Sequence, residues 1–133
     1  MFTRTSRRPN VATACAAIAA LAATRVDDAT VDRLDALVTR AEAVIENSEA
    51  FMLTDVELHD IIGEAAGNAI LERFMESIHA LGLASRRETG TKRSVREQSA
   101  KDHRAIVAAL RAHDAVAAAD AMHIHLENVA QAR

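Results

Sequence analysis

The chain has 133 residues, half of them hydrophobic, and a formal net charge of −3. That length suits one domain with a real core, and the charge leaves no electrostatic footprint for nucleic acid. A single cysteine, Cys15, excludes an internal disulfide and fits the cytoplasm, and no apolar run approaches the roughly 18 residues of a membrane span.

Alanine, leucine and charged residues that favour helix dominate, and β-branched residues are scattered rather than alternating. Pro9 is the only proline, and the glycines are Gly63, Gly67, Gly82 and Gly90. Such sparse punctuation predicts an all-α chain of long helices and short turns. Residues 1–9 read as a tail or linker remnant and 10–133 as the domain. Arg4, Arg7 and Arg8 before VATACAAIAALAA, with Ala20-Leu21-Ala22 behind, have the outline of a secretory signal. Val11, Ala14, Cys15, Ile18, Leu21 and Ala22 nevertheless form a helical stripe, so a core helix over about 11–25 is the better reading, with Asn10 as its N-cap.

A second helix is expected over about 29–47, capped by Asp27 or Asp28, with the stripe Val31, Leu34, Leu37, Val38, Ala41, Val44 and Ile45. A third begins near Leu53 and stops at Gly67, a natural left-handed C-terminal residue. Asn68 caps a fourth over about 69–83, whose apolar positions are Ile70, Leu71, Phe74, Ile78 and Leu81. Residues 84–93 then read as the longest polar loop, and the arginines of 86–96 as a solvated cluster. Ser94 and Glu97 form a capping box for a fifth helix to about residue 112, and Asp114 caps a sixth over about 115–131. Short turns make these six helices antiparallel neighbours.

Chemistry enters through Asp55, His59, His103 and His125, each in phase with the apolar stripe of its own segment. Asp55 and His59 share a face with Leu58, Ile62 and Ala66; His103 with Ile106, Val107 and Leu110; His125 with Ala118, Met122 and Val129. Burying an ionised carboxylate without a partner costs several kcal/mol, and one divalent cation would satisfy all four groups. The alternative is a buried His–Asp hydrogen-bond network with no ion. His79, His113 and His123 read as surface or boundary histidines rather than ligands.

Several local words resemble the FCD domain, the C-terminal effector-binding domain of FadR-type GntR transcriptional regulators. LHDIIGEAAGN is similar to the family's Asp-x2-Phe-His…Ala-Gly-Asn segment, with Leu58 for the aromatic. DHRAIVAALRAHD is similar to its Glu-His-x2-Ile…Asp, with Asp102 for glutamate; AADAMHIHL resembles its Ala-x2-Met-x2-His-Leu; and AALAATR resembles the end of its first helix. The resemblance covers about residues 9–133. It implies an antiparallel helical bundle around a central metal and effector pocket, with Asp55, His59, His103 and His125 holding a divalent ion. An Asp/His3 set suits Zn foremost, or Ni, Fe or Mn. It further implies a small organic-acid effector, a homodimer, and contact with DNA only through a winged helix.

Two departures stand out. The arginine and glutamate that family members carry on the first helix for the effector fall near Val11 and Cys15. The stretch before Asn10 is too short for a winged helix, so the chain reads as an excised domain or as a product without its DNA-reading half. The competing functions are a helical-bundle metalloenzyme, against which stands the want of a further core-facing Glu or His as general base, and a metal-free dimerisation module. The expected reading is a non-enzymatic sensor.

Overall fold

A computed structural model describes residues 11–132, the side chains of 81–86 excepted. The described residues form six helices: α1 (Val11–Arg25), α2 (Asp28–Ala43), α3 (Ser48–Ala65), α4 (Ala69–Thr89), α5 (Arg93–Arg111) and α6 (Ala115–Gln131). There is no strand among them. The expected Asn10 cap and the 1–9 tail lie outside the described residues.

Local capping explains most boundaries. Asp27 accepts from the Thr30 amide at 2.8 Å to start α2, and Asp114 accepts from the Ala117 amide at 3.0 Å to start α6. Asn68 accepts from the amides of Ile70 and Leu71 at the start of α4. Just before it, Gly67 adopts φ +68°, the left-handed conformation expected there. Arg25 of α1 closes that corner, its Nη1 donating to the carbonyls of Ala66 (2.7 Å) and Gly67 (3.3 Å) at the C-terminal end of α3.

Three expectations need correcting. The second helix ends at Ala43, and α3 starts at Ser48 rather than Leu53, because Asn47 accepts from the Ala50 amide and opens a helix there. The polar stretch 84–93 is mostly helix, with α4 running to Thr89; Arg86, Arg87 and Glu88 are good helix formers, and Gly90 is the first residue to break the helix. The capping box at Ser94 does not form; α5 already begins at Arg93, which puts Ser94 inside its first turn, and the N-cap Lys92 makes no side-chain cap.

The core runs through the bundle from Ile18 and Ala22 on α1 to Leu34 and Leu37 on α2, Ile62 on α3, Ile106 and Leu110 on α5, and Met122 on α6. Fully buried Ala19, Ala22 and Ala23 let α1 lie close against α6, its main partner. α5 packs on α6 and α2, whereas α4 packs chiefly on α3. Gly63 permits the α3–α4 approach, since a Cβ there would stand 3.4 Å from the Met75 side chain. The buried face of α4 is rotated from the expected one. Met75 is buried and Ile70 and Phe74 are exposed, because α4 has a neighbour on one side only.

Candidate metal centre

Asp55 and His59 are one turn apart on α3, His103 is midway along α5, and His125 lies in the second half of α6. The bundle brings all four together, with one ligand atom from each lying within 4.8 Å of all the others. The three imidazoles are about 1% exposed. Asp55 Oδ1 stands 3.2 Å from His59 Nε2 and 2.9 Å from His103 Nε2. The rings of His103 and His125 meet edge to face at 4.8 Å, and those of His59 and His125 stack at 5.5 Å.

Two features fit this set to a divalent ion. His103 Nε2 is fully buried and close to the carboxylate, yet it makes no hydrogen bond. Such closeness without a hydrogen bond suits two groups facing a common third point rather than each other. Four ligands around a tetrahedral ion at about 2.1 Å sit about 3.4 Å apart, so convergence within 4.8 Å needs only small side-chain adjustment. The cluster could therefore hold a metal ion, and an Asp/His3 set is borderline in character.

Asp102, for which the sequence suggested no role, stands behind the cluster. Its Oδ2 is 3.0 Å from His125 Nδ1, which leaves Nε2 as the His125 donor to an ion. Gln98 and Asn128 also donate to this carboxylate, at 2.9 Å and at 3.2–3.3 Å. Burial pushes the Asp102 carboxyl up, but the bonds from His125, Gln98 and Asn128 together outweigh it and hold it below the ordinary 3.8. Burial also pulls His125 below 6.5, a drop that the Asp102 bond only partly offsets. A neutral imidazole oriented through its far nitrogen by a carboxylate is what a metal ligand requires. Asp102 directly precedes His103 in the chain, yet its carboxylate serves His125 on another helix, so the sequence carried no local signal of this role.

The other histidines divide. His123 is partly exposed and pairs with Glu127 at 2.8 Å; His113, in the α5–α6 turn at φ 53°, has Nδ1 2.9 Å from the Ala23 carbonyl. His79 departs from expectation. It is 7% exposed, lies 3.1 Å from Asp60, and sets its ring against His59 at 5.2 Å. A further buried imidazole thus does stand beside the cluster. It results from the rotated face of α4, one position along from the half-buried Ile78.

A small cleft of about 40 Å³ reaches the cluster at Asp55 and His125. Ser48, Phe51, Met52 and Asp55 of α3 line one wall, Val95, Arg96 and Ser99 of α5 another, and His125 and Val129 of α6 a third; Thr89 and Gly90 close it. His79 takes no part in this lining. Arg96, expected in a solvated cluster, is 6% exposed. Val11 is exposed and Cys15 is buried with its Sγ 3.7 Å from Met75 Sδ, so neither first-helix position replaces an arginine in function.

Among the described residues, no helix is long and apolar enough to cross a membrane. A comparison with curated proteins finds no match. Among solved structures, a Streptococcus agalactiae GntR superposes with a TM-score of 0.71 at 22% identity, covering 98% of this chain and 64% of that one. The chain thus shares that protein's fold over a little under two-thirds of the longer protein's length. The family model of the FCD domain matches residues 16–128, a span that holds all four converging side chains, and the chain belongs to the FCD domain family.

Proposed function

We propose that this chain is the metal-dependent sensor domain of a GntR-type transcription regulator, responding to a small organic acid. Asp55, His59, His103 and His125 are the ligands of its divalent ion, and Zn suits them best. The observation carrying the reading is the convergence of these four groups at the inner end of a cleft, with Asp102 fixing the His125 tautomer. An ion held by three neutral imidazoles and one carboxylate keeps a net positive charge and open positions suited to an oxygen anion. The apolar bundle screens that charge weakly, so a carboxylate is favoured over an amine or a neutral sugar.

The protein supplies the rest. Asp55 and the histidines fix the floor, and Phe51, Met52, Val95 and Val129 exclude water from the cleft wall. Catalysis is not part of the proposal: His79, the spare imidazole, is turned to Asp60 and does not line the cleft, so it is not offered to a molecule there as a general base. The regulator is proposed to be a cytoplasmic homodimer that meets DNA through a winged helix.

Metal analysis of protein purified without a histidine tag tests this directly. About one divalent ion per chain is expected. His103→Ala should lower metal content and thermal stability together, since binding is linked to folding. Full metal retention by the His103→Ala, His125→Ala double variant would exclude the site. Organic acids should raise the melting temperature of the holoprotein, and chelation should abolish the shift.

A further inference from the structure

Arg96 is a buried cation without a carboxylate partner among the described residues. It is 6% exposed and forms no ion pair among the described residues, the nearby pairs to Glu46 and Glu97 being those of Arg93. Nε donates to the Ile45 carbonyl at 2.6 Å and Nη1 to the Gly90 carbonyl at 2.7 Å. Both N–H groups of Nη2 have no protein acceptor among the described residues. Two carbonyl dipoles do not neutralise a guanidinium, and Nη2, which is not among the buried nitrogens without a partner, is left facing the cleft. Its position is not arbitrary, because it lines the cleft that Asp55 and His125 also line.

We propose that Arg96 is the second pole of the effector site, pairing with the far carboxylate of a short dicarboxylic acid whose near carboxylate faces the Asp55/His125 end. This rests on the metal-dependent reading given above. The spacing supports it: Arg96, Ser99 and His103 lie along one face of α5, and seven residues correspond to about 10 Å of helix. The carbonyls that hold Arg96 belong to the turns before α3 and before α5, at the end of the cleft away from the cluster. Between the two poles the walls include Phe51, Met52, Val95 and Val129. Two positive ends with an apolar middle match a carbon chain bearing a carboxylate at each end. Inorganic phosphate has no such middle, and a monocarboxylate fills one pole only. The first turns of α3 and α5 also border the Arg96 end, and their partial positive charge favours the same anion.

Calorimetric titration of the metal-loaded chain with succinate, glutarate, butyrate and inorganic phosphate tests the assignment. Succinate or glutarate should bind at least about tenfold more tightly than butyrate, and Arg96→Gln should erase that difference with metal content unchanged. Because Arg96 also ties two turns, Arg96→Gln could lose its fold; Arg96→Lys, which keeps charge and one donor, should then retain part of the preference. Guanidinium nitrogen spectra of the unaltered chain give a reading free of any variant, and the Nη2 signals should move with succinate and stay with butyrate. Arg96 signals untouched by saturating succinate, or an Arg96→Gln chain that keeps the dicarboxylate preference, would overturn the anchor and leave the metal reading standing. A preference that survives chelation but vanishes in Arg96→Gln would support the anchor and remove the metal from recognition. Phosphate binding as tightly as succinate would overturn the two-pole assignment. If none of the four binds, both proposals fall.

Discussion

Asp102 Oδ2 and His125 Nδ1 lie 3.0 Å apart, in a contact that joins α5 to α6 and sets which nitrogen of His125 faces the cluster. The carboxylate is fixed on its other side by Gln98 and Asn128, so the imidazole is held rather than merely touched.

Asp102→Ala should therefore weaken metal binding by about 10–100-fold while leaving all four ligands in place. Competition against a chelator of known affinity measures this. An unchanged affinity would mean that Asp102 serves packing between α5 and α6 alone.

His125 contributes a pH dependence to the stability of the metal-free chain. Its folded pKa lies below 6.5, so between that value and 6.5 the unfolded chain binds a proton that the folded chain refuses. Stability from this group is complete above 6.5 and is lost as pH falls toward the folded value. Melting temperature should fall as pH is lowered through 6.5, and His125→Gln should flatten that slope. Asp102 acts in a lower window. Its folded pKa is below 3.8, so its contribution is present above 3.8 and disappears as acid carries the solution through the folded value.

Gly67→Ala should destabilise the fold by about 1–2 kcal/mol, since a side chain at φ +68° crowds its own backbone. The new Cβ would also stand 3.1 Å from Arg25 Nη1, against the clamp on the end of α3. Gly67→Asn should cost less, because asparagine tolerates this conformation. Urea midpoints of the two variants provide the comparison, and an alanine variant as stable as the parent would contradict the argument.

The four-residue cluster was legible because each member sits in an apolar stripe, and a polar group placed there needs a reason. Helix starts at Asn68 and Asp114 were legible for the same local cause, a side-chain oxygen with free amides ahead of it. Face assignment on α4 was not, because Ile70, Leu71, Phe74 and Ile78 are compatible with two rotations, and packing chiefly on α3, with Cys15 of α1 against Met75, selects the one that buries Met75 and His79. Arg96 was hidden by composition. Grouped with Arg86 and Arg93 it looks like solvated charge, yet it is in phase with Ser99 and His103, and phase outweighs composition once the segment is helical. Asp102 was passed over since its neighbour His103 carried the pattern, and partnership with His125 across two helices has no local trace.

The pairing of α1 with α6 makes the first helix wait for the last. As the chain leaves the ribosome, the alanine-rich face of Ala19, Ala22 and Ala23 lacks the main partner of its helix until α6 is made. The cluster closes at the same moment, since His125 is its final member. Core completion and site completion are thus one late event of high contact order, and any truncation before residue 125 removes both together.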